Sequence, residues 1–204
     1  GSGTLLKLIE ERKQKLLKEG IFQKKKPLPK IIKNVGIITS KSGAALQDII
    51  SRLKDKIFPN LILYPSLVQG TEAPKSIING IKYFNKTLNP LTDVIVITRG
   101  GGSIEDLMCF NDEDLARSVA ASKVSTISAV GHEIDYTIID FASDLRVPTP
   151  TAVTEVIGKS KELLRRNIKE IIEKIKKTLL YKFSTLNKKL EENNKKLNKA
   201  IQNI

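Results

Sequence analysis

Two kinds of apolar pattern alternate along residues 35–130. Four short runs are largely apolar, at 35–39, 61–67, 93–98 and 125–130. Between them, apolar residues recur at helical spacing over 43–57, 73–87 and 103–122, and the last stretch is expected to break near Asn111. Short runs rich in Val and Ile are typical of parallel strands buried on both faces. The pattern predicts an α/β fold of Rossmann-like or flavodoxin-like type, with a mostly parallel sheet flanked by helices.

The segment before this region contains a helix and a linker. Leucines and isoleucines at helical spacing predict a helix over 4–19, and Gly20 is a natural stop for it. Residues 24–30 hold four lysines and two prolines, which indicates an extended linker whose lysines either meet phosphate or are simply solvated. Residues 1–3 resemble a cloning remnant. We therefore expect residues 4–34 to be a helix and linker, and residues 35–150 to form the α/β domain.

Residues 151–204 have a different character, because they contain no proline and a single glycine. Apolar residues step by threes, fours and sevens from Leu164 to Ile204, and Asn193 falls on the same seam. This pattern predicts a long amphipathic helix of coiled-coil type, in which a seam asparagine fixes register. Fully helical, the segment would reach about 80 Å, so it needs a second helix, a partner chain or another copy of itself to cover its apolar stripe.

Charge favours an acidic partner. Lys and Arg total 35 against 22 Asp and Glu, a formal charge of +13, which favours nucleic acid, although an AT-rich genome would also enrich lysine. The single cysteine, Cys109, excludes an intrachain disulfide and lies in an apolar stretch typical of a core position. No apolar run approaches the length of a membrane span, so no membrane association is expected.

Candidate chemistry lies in loops that follow the predicted strands, where parallel sheets bind their ligands. Arg99 precedes Gly100, Gly101 and Gly102, and glycines there would let main-chain N–H groups approach a phosphate at the next helix N-terminus. Ser103 and Asp106 fit a capping box for that helix. The spacing matches neither a P-loop nor a dinucleotide fingerprint.

Two further segments carry weaker signals. Lys41 and Ser42 stand before the next helix and could contact an anion, whereas Asp48 lies in the second turn and by itself reads as a solvated carboxylate. Arg146 could face the same anion site as Arg99. Pro148 and Pro150 predict a stiff extended stretch before the long helix.

The only histidine, His132, is followed by several carboxylates. If 133–141 is helical, His132 and Asp135 share a face, and the carboxylate could set the imidazole tautomer for general-base work. A structural histidine and half of a metal site remain the alternatives, although one histidine with scattered carboxylates is weak support for zinc.

Several of these motifs resemble the large subunit of bacterial exonuclease VII. They are GIITSKSGAALQDI, YPSLVQGTEAP, RGGGSIEDL and AVGHEIDYTIIDFASDLRVPTPTA, which occur in the family's order. The resemblance implies a cytoplasmic bacterial nuclease that cuts single-stranded DNA from either end into short oligonucleotides. It also implies several copies of a small helical subunit bound along the coiled coil. Its functionally important positions fall on Asp48, Arg99, His132 and Asp135.

The resemblance also sets expectations about cofactors and completeness. The family is generally regarded as needing no added divalent metal, so no cofactor is expected here, with Mg²⁺ kept as an option. Its large subunit begins with an oligonucleotide-binding barrel and has a longer coiled coil, so this chain looks like a middle portion. Two other functions stay open: a non-catalytic scaffold whose long helix binds partner helices or another copy of itself, and a nucleotide-binding enzyme that uses the glycine loop.

Overall fold

The computed structural model describes residues 2–53, 59–86, 92–130 and 136–202. Its helices are α1 (Ser2–Lys18), α2 (Ala44–Leu53), α3 (Ala73–Asn85), α4 (Ile104–Leu107), α5 (Glu113–Ala120), α6 (Ile138–Ala142) and α7 (Ala152–Gln202). Its strands are β1 (Asn34–Thr39), β2 (Asn60–Pro65), β3 (Val94–Arg99), β4 (Ser125–Val130) and β5 (Leu145–Arg146). A 3₁₀ turn over Met108–Asn111 separates α4 from α5 and confirms the predicted break near Asn111.

The strands form one parallel sheet in the order β2-β1-β3-β4-β5. This order is that of flavodoxin-like folds, so the predicted fold class is confirmed. The fifth strand was not predicted, because two residues are too short to show a pattern. It pairs Arg146 with Ser128 of β4.

Alternate residues of the strands pack into two separate cores. Ile95 and Ile97 of β3 lie in a core with α3 and α5, while Val94 and Val96 lie in another with α2 and the start of α7. Successive side chains of a strand point to opposite faces, so each face of the sheet has its own helices. Helices α3 and α5 therefore cover one face of the sheet, and α2 and the start of α7 cover the other.

The N-terminal helix and linker pack on the α/β fold. Leu16 of α1 is buried in the α3/α5 core, and α1 ends at Lys18, two residues before Gly20, whose φ of 73° confirms the predicted stop. Beyond α1, Glu19 accepts two hydrogen bonds from Arg117, both at 2.9 Å. The charged contacts lie on the surface and add little, so the buried leucine carries most of the attachment.

The linker runs along the edge of the sheet where the strands begin. Asp144 binds the main-chain N–H groups of Lys26 and Thr126 at 2.6 and 2.7 Å, and pairs with the Lys26 ammonium at 3.0 Å. Lys25 donates to the carbonyls of Phe141 and Ser143. Burial alone would raise the pKa of Asp144, but these hydrogen bonds and the Lys26 charge hold that pKa below its usual range. Two of the four linker lysines are thus engaged within the fold.

The chain forms two compact units, residues 1–161 and 162–204. Helix α7 begins in the first, where Val153 and Ile157 are buried in the α2-side core. In the second unit, the apolar side chains along the predicted seam are 49–66% exposed; they are Ile168, Ile171, Ile175, Leu179, Phe183, Leu186, Leu190 and Leu197. The predicted long helix is confirmed over 51 residues, and its apolar stripe is open to a partner.

Among the described residues, no helix combines the length and apolarity that a membrane crossing requires.

Candidate active site

Three loops leave the sheet at the edge where its strands end. In the parallel register, Ile38 of β1 pairs with Ile97 of β3, and Arg99 of β3 pairs with Val130 of β4. The chain continues from these strands into residues 40–43, 100–103 and 131–137. The expectation that the three segments emerge at one edge of the sheet is therefore confirmed. We call this edge the carboxyl edge.

Arg99 is the best-defined cation at this edge. Its side chain is only 11% exposed, and Nη2 lies 3.3 Å from Gln69 Oε1 and 3.5 Å from a carboxylate oxygen of Asp106. Nη1 is buried and has no hydrogen-bond partner among the described residues. A buried unpaired N–H costs about 1–3 kcal/mol, a cost that an acceptor such as a phosphate oxygen would remove.

One of the glycines after Arg99 has a steric role that the sequence analysis did not predict. A Cβ at Gly102 would lie 2.8 Å from Nη2 of Arg99 and closer still to Nη1, whereas a Cβ at Gly100 would meet nothing within 4 Å. Neither glycine has a positive φ. Gly102 therefore makes room for the guanidinium, and Gly101 and Gly102 expose their main chain at the surface.

The helix after this loop does not provide the expected electropositive N-terminus. Ser103 and Asp106 form the predicted capping box, at 3.3 Å in both directions. However, α4 has only four residues, and Glu105 and Asp106 occupy its first turn. One turn has almost no aligned dipole, and its carboxylates oppose an anion. The short α4 therefore does not supply the expected helix dipole, whereas phosphate binding by the main-chain N–H groups of Gly100–Gly102 together with Arg99 stays a prediction.

The loop of Lys41 and Ser42 is exposed, and it leads into α2 at Ala44. A Cβ at Gly43 would meet Oγ of Ser40, so a larger residue there would require that hydroxyl to rotate away. Asp48 lies on the exposed side of α2, which covers the sheet face opposite to that of Ile97. Arg99 shares the face of Ile97, since residues two apart on a strand point the same way. The described contacts do not bring Asp48 and Arg99 together.

His132 and Asp135 lie outside the described residues, so their proposed pairing stays a prediction. The condition of a helix over 133–141 is not met in the described part of that segment, because α6 begins at Ile138 and Tyr136 and Thr137 are not helical. The carboxylate of Asp140 explains this start. It binds both the N–H and the hydroxyl of Thr137, at 2.7 and 2.9 Å, and so fixes the residue before the helix.

Arg146 binds a buried carboxylate rather than joining Arg99. Its Nε lies 3.9 Å from Asp140, and its guanidinium carbon lies 3.9 Å from the ring centroid of Tyr136. Burial raises the pKa of Asp140, although the Ser128 hydroxyl, Thr137 and Arg146 act in the opposite direction. The register nevertheless places Arg146 beside Ser128 and Ile97, on the same sheet face as Arg99 and two strands away, about 10 Å across.

Comparison with known proteins shows the family of this chain. The family described as "Exonuclease VII, large subunit" matches residues 22–204. The chain belongs to the exonuclease VII large-subunit family. Its relatives named exodeoxyribonuclease 7 large subunit include one from Anaplasma marginale, 47% identical over 86% of this chain and 45% of the relative. Another, from Koribacter versatilis, is 42% identical over 94% of this chain and 42% of the relative. A third, from Cronobacter sakazakii, is 41% identical over 99% of this chain and 46% of the relative.

This exonuclease VII chain spans a little under half the length of those curated relatives. The match covers the α/β fold and α7 together. The shared region therefore includes both the carboxyl edge and the long helix.

Three residues of this exonuclease VII chain were missed by sequence reasoning. Gln69 holds Arg99, Asp140 holds Thr137 and Arg146, and Tyr136 stacks on Arg146 while remaining 55% exposed. The signal for Tyr136 and Asp140 was their place in the same stretch of sequence as His132. Gln69 had no signal beyond following a strand at the same edge.

Two other expectations concern Cys109 and metals. Cys109 is buried, and burial raises the pKa of its thiol to about 11 despite the nearby Arg99, so the expectation of a core position is confirmed. The described part of the chain contains no cluster of three or more His, Cys, Asp or Glu side chains that could hold a metal ion. His132, Glu133 and Asp135 lie outside that part.

Proposed function

We propose that this chain is the nuclease portion of an exonuclease VII large subunit, which hydrolyses phosphodiester bonds of single-stranded DNA to short oligonucleotides. The observation that carries the proposal is the buried guanidinium of Arg99. It lies at the carboxyl edge, with an unpaired N–H under the exposed Gly102 backbone. A positioned guanidinium is suited to the charge that develops on a phosphate in the transition state.

The remaining catalytic roles follow from the family resemblance and the loop positions. His132 acts as general base or acid and is oriented by Asp135. Asp48 positions the attacking water or His132. The N–H groups of Gly100–Gly102 bind the same phosphate as Arg99, and Lys41 and Ser42 contact the neighbouring backbone. No metal cofactor is required in this proposal, and Mg²⁺ is tested directly below.

Affinity for DNA comes from charge without sequence readout. The net charge of +13 supports salt-sensitive binding to a phosphate backbone. The proposed enzyme works in the bacterial cytoplasm. The third function considered, a nucleotide-binding enzyme, gains less support, since the one-turn α4 offers no phosphate-binding helix dipole.

The stripe of α7 supports a partner. Its seam side chains are mostly 50–65% exposed along the second unit, and full burial of one such aliphatic side chain stabilises by about 1.5–3 kcal/mol. We propose that several copies of the small helical exonuclease VII subunit cover it. Pairing of α7 with another copy of this chain is the alternative. The same exposed stripe favours the second candidate function, a scaffold without catalysis.

The deciding experiment measures degradation of end-labelled single-stranded DNA in excess chelator. It compares the full-length large subunit with its small partner, as wild type, His132→Ala and Arg99→Gln. We expect wild type to cut, both variants to lose at least about a hundredfold in rate, and DNA affinity to fall only for Arg99→Gln. Arg52→Ala, on the exposed face at the far end of α2, is the matched control for loss of one positive charge.

Other outcomes separate the alternatives. Equal cutting by wild type and His132→Ala would remove His132 from the mechanism. Recovery only with Mg²⁺ would make His132, Asp135 and Asp48 a metal-site candidate. A complex that assembles and binds DNA without cutting under any condition would support the scaffold function.

A further inference from the structure

A cation-backed tyrosine lies at the carboxyl edge and has no place in the proposed hydrolysis. Tyr136 is 55% exposed, although its ring contacts two neighbours. The Arg146 guanidinium lies 3.9 Å from the ring centroid, and the Phe141 ring lies 5.7 Å away at an interplanar angle of 31°. Because these contacts already hold the ring in place, Tyr136 would lose little conformational entropy when a ligand binds to its exposed part.

The neighbours of Tyr136 are themselves anchored. Asp140 lies 3.9 Å from Arg146, and it is fixed by the hydroxyls of Ser128 and Thr137. Phe141 packs against Phe22, with a ring separation of 5.9 Å, and Lys13 lies 4.4 Å from the Phe141 ring centroid. The tyrosine is therefore part of an aromatic surface bordered by two cations.

The position of this aromatic surface near Arg99 indicates which class of ligand it would bind. Arg146 and Arg99 project from the same face of the sheet, two strand spacings across and two residues along, which places their Cα atoms about 12 Å apart. A phosphate bound at Arg99 would thus have an exposed aromatic ring within reach of the neighbouring nucleotide. Proteins that bind single strands combine cations that follow the backbone with aromatic rings on which bases stack.

We propose that Tyr136, held by Arg146 and Phe141, is a base-stacking platform for single-stranded DNA beside the Arg99 phosphate site. The proposal rests on the proposed function and deepens it by naming the residue that contacts a base. Arg146 holds the tyrosine and contributes positive charge close to the backbone. Stacking on an aromatic ring is tolerant of sequence, which suits an enzyme that degrades any strand.

Fluorescence gives a direct test, because the chain contains no tryptophan. Tyr136→Trp places a unique fluorophore on the platform. We expect a short oligothymidylate to quench its emission, and an abasic oligomer of equal length to leave the emission nearly unchanged. Tyr83→Trp is the matched control, since Tyr83 is a part-exposed tyrosine packed on Tyr64 and Phe84 rather than on a cation.

Affinity gives the second readout. Tyr136→Ala should weaken oligothymidylate binding by about 5- to 100-fold, and Tyr136→Phe should retain most of it, because stacking needs the ring and not the hydroxyl. Circular dichroism and thermal unfolding show whether Tyr136→Ala stays folded. Equal affinity of wild type and a folded Tyr136→Ala, unquenched Tyr136→Trp with bound oligothymidylate, or no binding by wild type would each overturn the platform.

The platform and the proposed function fail separately. Quenching of Tyr136→Trp in a full-length enzyme that never cuts would uphold the platform and refute the hydrolysis. Cutting that depends on His132 and Arg99 while Tyr136→Ala binds DNA like wild type would do the reverse.

Discussion

A methyl group added at Gly102 should remove activity without unfolding the protein. In Gly102→Ala, the new Cβ would lie 2.8–2.9 Å from Nη2 and Cζ of Arg99, and closer to Nη1. Ordinary contacts of a Cβ begin near 3.4 Å, so the guanidinium must retreat by about 0.5 Å or more, or change rotamer. The obstacle is the end of a flexible side chain, and it can move.

The expected loss of activity is large because the displaced group is the one proposed to bind the reacting phosphate. Misplacing a catalytic contact by about 1 Å can cost about a hundredfold in rate, and removing one stabilising donor costs about 10²- to 10³-fold. We therefore expect Gly102→Ala to cut single-stranded DNA at least about a hundredfold more slowly than wild type.

The expected loss of stability in Gly102→Ala is small, because the contacts that Arg99 would lose are weak. Arg99 gives up a 3.3 Å hydrogen bond to Gln69 and a 3.5 Å ion pair with Asp106, together worth about 1 kcal/mol at a partly exposed site. Replacing glycine by alanine at a compatible φ restores about 0.4–1 kcal/mol by restricting the unfolded chain. The net change in unfolding free energy should stay within about 1 kcal/mol, or about 2–4 °C in Tm.

The assay is single-turnover cleavage of an end-labelled strand by the full-length subunit with its partner, alongside thermal unfolding. Gly100→Ala is the matched control, since its Cβ meets nothing within 4 Å and its N–H is retained. It should keep far more activity than Gly102→Ala. Full activity in Gly102→Ala, or an equal loss in both variants, would refute the reasoning about Arg99.

Three further predictions concern the partner surface, the linker and the thiol. Leu186→Ala in the exposed stripe of α7 should weaken small-subunit binding about tenfold by titration calorimetry, whereas Lys188→Ala on the same helix should not. Asp144→Asn should lower unfolding free energy at neutral pH by about 2 kcal/mol. Because the folded pKa of Asp144 is depressed, that stability is present above the unfolded value of 3.8 and is lost as pH falls through the folded pKa, so the two proteins should converge in acid unfolding curves. Cys109, with its pKa near 11, should react slowly with iodoacetamide at about pH 8 in the native protein and rapidly in denaturant, and fast native labelling would contradict its burial.

The sheet could be predicted from sequence because its signal is local. Each of β1, β3 and β4 is a short run buried at nearly every position, and the order of strands and helices leaves few topologies. The two-residue β5 has no such signal, since its pairing depends on where α6 ends. The break near Asn111 was predicted, but the 3₁₀ turn over Met108–Asn111 was not, and Asp112 then begins α5 by accepting a hydrogen bond from the Leu115 N–H.

The site was only partly predictable because its contacts cross between loops. Sequence reasoning singled out Arg99, but its burial under Gly102 and its bond to Gln69 depend on how β2 and β3 end beside each other. The stack of Arg146 on Tyr136 similarly requires β5 to pair with β4. The roles of His132, Asp135 and Asp48 stay predictions.

The linker contacts and the candidate site lie at opposite edges of the sheet. Asp144 and Asp93 tie the linker and the beginnings of the strands together, on the side of the sheet away from Arg99. Substitutions along that edge can adjust how firmly the domain holds together while the opposite edge keeps its chemistry. Substitutions at the linker edge should therefore change the stability of the domain more than the activity proposed for the carboxyl edge.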